Sequence, residues 1–391
     1  MSPTSKRQLT DTIRQRYLKA SKPEKKSILD EFCAVCLYNR KYAIRLLNSN
    51  PNHKPPSKVS NRGRKKKYHH PLILQVLRDI WVATNLPCSK RLKVILPLWL
   101  PHYEFEIPNH VNQALLNISP ATIDRIMQLQ RSRFKKQGLS STKPGTLIKK
   151  RIPIKTNQWN EKMPGFLEAD TVAHCGTSTA GMFVYTVNIV DLATTWTEQR
   201  AVWGKGEKGV IEAIKSIENS LPFLIKGFDC DNGSEFLNWH LVRHLTNRKK
   251  PVAFTRSRAY HKNDNAHIEE KNWTNIRQYL GYFRFELPIL VEKLNELYTT
   301  EWNRYFNFFI PSVKLINKFR NGGRLIKVHD KPKTPLQRIL DSEHIEETTK
   351  QKLTAEFETL NPFSLQKQMM KKLKEIIKIA INQRNINNSY P

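Results

Sequence analysis

Asp229-Cys230-Asp231-Asn232-Gly233-Ser234-Glu235-Phe236 follows directly on the apolar stretch Phe223-Leu224-Ile225-Lys226-Gly227-Phe228. A β-rich run that ends in two acids and Asn-Gly reads as a strand opening into a turn. On the N-terminal side, Gly165-Phe166-Leu167-Glu168-Ala169-Asp170 is another strand ending in an acid. Residues 182–190 are β-rich, Asp191-Leu192-Ala193-Thr194 makes a turn, and 196–202 form the return strand. Residues 208–221 carry the pattern of an amphipathic helix. On the C-terminal side, a helix over 234–246, a strand over 252–256 and a long helix from 264 to 282 complete the unit. The order βββαβαβα predicts an α/β layer with a mixed sheet.

Three acids occupy distinctive places in that unit. Asp170 ends the first strand and Asp231 lies just past the fourth; adjacency of those two strands brings their carboxylates together. Glu269 lies early in the last helix, in phase with Trp273, Ile276 and Leu280, which predicts that it faces the sheet. Glu270 instead shares a face with His267, Thr274 and Arg277, which reads as solvent-facing. Converging carboxylates repel one another and are stable together only with cations between them. Hard oxygen ligands favour Mg²⁺ or Mn²⁺. Two such ions, about 3.5–4 Å apart, suit in-line phosphodiester substitution. Singly, each acid has a plainer reading as a turn residue, a helix cap or a solvated charge.

Their contexts resemble a known family. Gly165 to Thr171, Asp229 to Phe236, and Tyr260-His261-Lys262-Asn263-Asp264-Asn265-Ala266-His267-Ile268-Glu269-Glu270-Lys271-Asn272-Trp273 are similar to the three signature blocks of bacterial insertion-sequence transposases with a retroviral-integrase-type catalytic core. They come in the right order, with 60 residues between the aspartates and 37 between Asp231 and Glu269. The resemblance implies an RNase H-like core with a mixed five-stranded sheet over 164–310, Mg²⁺ or Mn²⁺ dependence, and an Asp-Asp-Glu site at Asp170, Asp231 and Glu269. Ala259 and His261 depart from the family's commoner Pro and Arg, and Asp229 is a competing acid beside Asp231. Lys262, Lys271 and Arg277 become candidates for gripping DNA phosphates near the metals; a solvated helix face is the alternative for each.

Charge agrees with a polyanionic partner. Lys and Arg number 66 against 34 Asp and Glu, a net of +32, and such an excess points to nucleic acid before an anionic membrane surface. Residues 1–150 carry +22 of it, while 151–250 are nearly neutral. A helix pair with a break near Tyr38-Asn39 reads as a helix-turn-helix over 1–50, with Arg40, Lys41 and Arg45 as DNA contacts; an ordinary helical hairpin is the alternative. Residues 51–70 form a basic linker in which Arg62 and Arg64 flank Gly63, suited to an A·T-rich minor groove or to a nuclear-localisation signal. A second helix-turn-helix spans 71–137. Its last helix opens at Ser119-Pro120 and exposes Arg125, Arg131 and Arg133. Residues 138–163 are a tether, and 311–391 are basic and mostly helical, with 311–335 a DNA contact or loop.

Cys33 and Cys36 sit in an apolar helical pattern, which favours buried thiols over zinc ligands; His174 and Cys175 read likewise as a hydrogen-bonded histidine and a buried thiol. The five cysteines are scattered and odd in number, against a disulfide framework. The start has no apolar core like that of a signal peptide, and the longest apolar runs are too short for a bilayer. The expectation is a cytoplasmic, nucleoid-associated prokaryotic enzyme without membrane contact. It would cleave 3′ ends and transfer strands of a mobile element into double-stranded DNA, acting as a homo-oligomer assembled on DNA. The alternatives are a transposase-derived DNA-binding regulator without catalysis and an RNase H-like nuclease.

Overall fold

β-branched and aromatic residues are frequent along Phe166–Ala173 (β1), Val184–Asp191 (β2) and Thr197–Trp203 (β3), and these strands pair antiparallel as a meander. Gly227–Cys230 (β4) and Ala253–Arg256 (β5) join on the other side of β1, parallel to it and to each other. The sheet order is β3-β2-β1-β4-β5. With helices Glu207–Ser220 and Trp239–Thr246 connecting β3 to β4 and β4 to β5, this is an RNase H-like α/β fold. The computed structural model describes residues 1–49, 68–133, 161–230, 236, 239–256, 266–321 and 324–387.

The chain forms two compact units, Met1–Lys67 and Tyr68–Pro391. In the first, Pro3–Lys19 (α1), Lys22–Cys36 (α2) and Arg40–Asn48 (α3) enclose Tyr17, Ile28, Leu29, Phe32, Cys36, Ala43 and Leu47. Ser21 and Glu24 close a capping box at the start of α2. The turn into α3 holds Leu37 at φ 55°, a left-handed conformation, with its side chain 86% exposed. Cys36 is buried and Cys33 half-buried against this core.

The second unit opens with Pro71–Ala83 (α4), Ser89–Trp99 (α5), Asn109–Asn117 (α6) and Pro120–Arg133 (α7). The sequence reading sets this segment apart from the core; in the structure the two share apolar packing. Ile73, Leu77, Trp99 and Met127 belong to one cluster with Ile276, Leu280, Tyr298, Trp302 and Tyr305. The Tyr305 hydroxyl donates to the Ala83 carbonyl at 2.9 Å, and the Asn85 amide donates to Gln278 at 2.9 Å. The cause lies in α4 and α5, which are apolar over more surface than their own bundle covers.

In the sheet, alternation sends Leu167, Ala169, Val187 and Ile189 toward Val210, Ile214 and Ile217 of Glu207–Ser220 (α8) and Leu241 and Leu245 of Trp239–Thr246 (α9). β4 begins at Gly227 rather than at residue 223 as the β-rich sequence suggests. There Phe166 lies so close that a Cβ on Gly227 would stand 2.4 Å from its ring, so glycine lets the strand pair at that point. The other face is crossed by Ala266–Lys271 (α10), a π-helical segment Asn272–Arg277, Gln278–Leu280 (α11) and Ile289–Leu297 (α12).

Beyond two further π-helical turns, Tyr298–Trp302 and Tyr305–Phe309, the chain forms an antiparallel ribbon of Leu315–Asn321 (β6) and Arg324–His329 (β7). Helices Pro335–Leu340 (α13), Glu347–Thr359 (α14) and Pro362–Asn387 (α15) follow, and α15 packs Leu365, Met369 and Leu373 into the shared core. Among the described residues no helix is long and apolar enough to cross a membrane.

Candidate active site

Alternation along β1 places Glu168 and Asp170 on the face opposite Leu167 and Ala169, where α10 crosses. Parallel register sets Glu168 beside Asp229 and Ala169 beside Cys230. The next residues on the two strands are Asp170 and Asp231; Asp231 lies outside the described residues.

Asp170 is half-buried. Its Oδ1 accepts from the Thr171 N–H at 2.7 Å, and its Oδ2 accepts from the Asn272 side-chain amide at 2.7 Å. Asn272 Oδ1 in turn accepts from Asn188 at 2.7 Å, and Asn188 Oδ1 accepts from Gln199 at 2.9 Å. Asn188 and Gln199 are buried. Each amide in this row donates toward Asp170, so the chain ends in a donor aimed at a carboxylate.

Two further acids lie beneath. Glu168 is 3% exposed and accepts the Ile268 N–H at 3.1 Å. Burial raises its pKa to about 8, the Ile268 hydrogen bond opposes this, and the charges of Asp229 and Glu269 add to it. Asp229 is buried and accepts the Thr255 hydroxyl at 2.7 Å. Alternation two residues before Asp170 could have flagged Glu168; nothing local in the sequence flags Asn188 or Gln199.

Glu269 is exposed on α10, three residues before the Asn272 that bonds Asp170, and its charge acts on Glu168. The expected phase is corrected here. Ile276 and Leu280 are buried, yet Glu269 is open and Trp273 is 38% exposed. Glu270 is the more covered of the two glutamates and pairs with Arg91 at 3.1 Å. The π-helical turn from Asn272 makes i→i+5 bonds and carries more residues per turn, so a 3.6-residue phase cannot be extrapolated across it.

Two expected phosphate contacts face inward instead. Lys271 is 8% exposed, and burial lowers its pKa to about 8, opposed by Glu270 and reinforced by Arg91 and Arg338. Arg277 donates to the Ala173 carbonyl at 2.8 Å and to the Gly281 carbonyl at 3.3 Å, and covers the Tyr282 ring. Lys262, Arg62 and Arg64 lie outside the described residues. Arg40, Lys41 and Arg45 are exposed on α3, with Arg40 paired to Asp30 and Arg45 over the Tyr42 ring. Arg125 is exposed on α7 and donates to Thr122 at 3.2 Å, while Arg131 pairs with Asp124. His174 is fully buried, bonded to the Thr186 hydroxyl at 2.8 Å and stacked on Phe285; burial holds its pKa down at about 3.

All acids gathered at this corner offer oxygen, the donor set of a hard divalent cation. Among the described residues no three ligating side chains assemble a metal site; Asp170 and Glu269 are two of the expected three.

No protein-family model matches the chain. The uncharacterized protein y4rM of Sinorhizobium fredii (strain NBRC 101917 / NGR234) is 35% identical over 348 residues, covering 86% of this chain and 96% of that protein. Among solved structures, the chain is similar to a chain of a simian T-cell lymphotropic virus intasome in complex with PP2A regulatory subunit B56 gamma. That match has 12% identity and a TM-score of 0.32, and covers 57% of this chain and 69% of the other. It is similar also to the catalytic core domain of BIV integrase, with 13% identity, 46% and 96% coverage and a TM-score of 0.28. The RNase H-like assignment rests on strand order and register rather than on these superpositions.

Proposed function

Because the chain belongs to one family with the uncharacterized protein y4rM of Sinorhizobium fredii, whose name carries no activity, we propose a function from the chain's own residues: a metal-dependent DNA transposase or integrase. The observation that carries this reading is Asp170 on the central strand of an RNase H-like sheet, hydrogen-bonded by Asn272 from the helical run that also presents Glu269. In the sequence the Asp231-Asn232-Gly233 string follows β4, and the described parts of the three signature blocks fall on β1, the end of β4 and α10.

Asp170, Asp231 and Glu269 would hold Mg²⁺ or Mn²⁺, two ions in all, which when bound supply charge stabilisation for the attacking and leaving oxygens of phosphodiester substitution. The protein's part is orientation. Thr171 and Asn272 fix one Asp170 oxygen each, and the Asn188–Gln199 amides fix Asn272. Glu269 stands exposed, where a duplex can approach. The substrate in this reading is double-stranded DNA: water cleaves a phosphodiester at the element end, leaving a 3′-OH and a 5′-phosphate, and that 3′-OH then attacks a target phosphodiester and displaces its 3′-oxygen. Holding two element ends together calls for a homo-oligomer on DNA.

Asp170→Asn should abolish joining of a pre-cut 3′-OH end to target DNA in Mg²⁺ while end binding stays within about twofold of wild type. Retained strand transfer in this variant would sink the reading. A wild-type protein that cuts but never joins would make it a nuclease, and one that binds but does neither would make it a regulator.

A further inference from the structure

The ribbon β6–β7 lies open to solvent in a way a two-stranded ribbon rarely tolerates, since an isolated pair is at best marginally stable in water. Register pairs Asn317 with Val328, Lys318 with Lys327, Phe319 with Ile326 and Arg320 with Leu325. Alternation therefore separates two faces. Phe319 and Val328 share one and are 45% and 40% exposed; Arg320 and Lys327 share the other and are exposed too. From residue 314 to 333 the sequence holds seven Lys and Arg and one acid, Asp330. The acid is occupied at the base of the ribbon, where it pairs with Arg338 at 2.6 Å and accepts the Lys314 N–H at 2.6 Å. The base is firmly held: the Lys314 ammonium donates to the Ala193 carbonyl at 3.0 Å, and Ser312 bridges to Lys333.

We propose that this ribbon is a DNA-binding arm that lies in the major groove of duplex DNA. The groove, about 12 Å wide, admits a two-stranded β-ribbon. The face with Phe319 and Val328 meets the groove floor, where thymine methyls lie, and Arg320 and Lys327, on the face turned from the floor, are long enough to bend over the ribbon's edges to the phosphate rims. A second copy of the chain is a poorer occupant, because its ribbon brings the same excess of positive charge. The substrate follows from the proposed function, but the contact is tested without chemistry.

Binding of the full chain to a random duplex of about 30 base pairs, in EDTA and over a range of salt, reads the contact directly. The double variant Arg320→Glu, Lys327→Glu should bind about tenfold more weakly at 0.1 M salt, with the log–log salt slope reduced by about 2. Arg320→Lys, Lys327→Arg should keep the wild-type slope, which separates charge from misfolding. Wild-type affinity and slope in the charge-reversed protein would overturn the arm. So would a change in oligomeric state at unchanged DNA affinity, which would assign the ribbon to a second copy. Since no metal is present, a failure here is distinct from a failure of strand transfer in Asp170→Asn.

Discussion

Asp170 is oriented by groups that reach it from two other strands and a helix, and the last of them, Gln199, is three hydrogen bonds away. Removing an outer partner of a metal-ligating carboxylate costs about 10–100-fold in metal affinity or activity. Asn272→Ala should therefore slow strand transfer by that order and raise the Mn²⁺ concentration for half-maximal rate, with Gln199→Leu doing the same more weakly. An Asn272 that acted through packing alone would lower the melting temperature and leave the metal titration in place. Asp170 was read as the end of the first strand, but β1 runs on through Thr171 and Val172 to Ala173, so the acid sits within the strand; Asp231 lies outside the described residues. The amide row was not legible, because strand register joins Asn188 and Gln199 to Asp170 and register is a non-local property. Glu269 was expected to face the sheet, and that phase does not carry past Asn272, where the helix widens.

At the level of elements, α2 and α3 and all five strands were readable from apolar periodicity, while their ends were not. Leu37 shows why. A leucine in the left-handed region is disfavoured by about 1–2 kcal/mol, and glycine is the residue such a helix end prefers. Here the side chain is 86% exposed, so little burial offsets the strain. Leu37→Gly should stabilise residues 1–67 by about 1 kcal/mol, read as a higher melting temperature of that unit expressed alone. No gain, or a loss, would mean that Leu37 makes a contact in solution that outweighs its strain. The ribbon β6–β7 was not read at all, since 311–335 mixes strand residues with Gly, Pro and a run of positive charge, and the pattern suggested a DNA contact or loop.

Over the whole molecule, the α/β class and the basic N-terminal region followed from alternation and charge, and the division at Tyr68 falls in the expected linker; the packing of α4 to α7 against the core did not follow, because shared packing leaves no mark on local composition. Trp302, Tyr305 and Ile276 are buried in a cluster completed by α4, α5 and α15. Exposing five such side chains costs on the order of 10 kcal/mol at about 1.5–3 each, comparable with the full stability of a domain. Residues 161–310 expressed alone should therefore be insoluble or unfolded by near-ultraviolet circular dichroism, whereas 68–391 should melt cooperatively. A soluble, cooperatively melting 161–310 fragment would show that the shared cluster contributes little.

That shared core also limits how members of such a family can trade specificity. A segment is most simply exchanged between relatives at a division between compact units, and here that division falls ahead of Tyr68. Helices α4 to α7 cannot travel as a cassette, for a foreign set would have to match the aromatic surface at Trp302 and Tyr305 side chain by side chain. Chimeras joined before Tyr68 inherit a working scaffold; those joined between α7 and β1 inherit a mismatch.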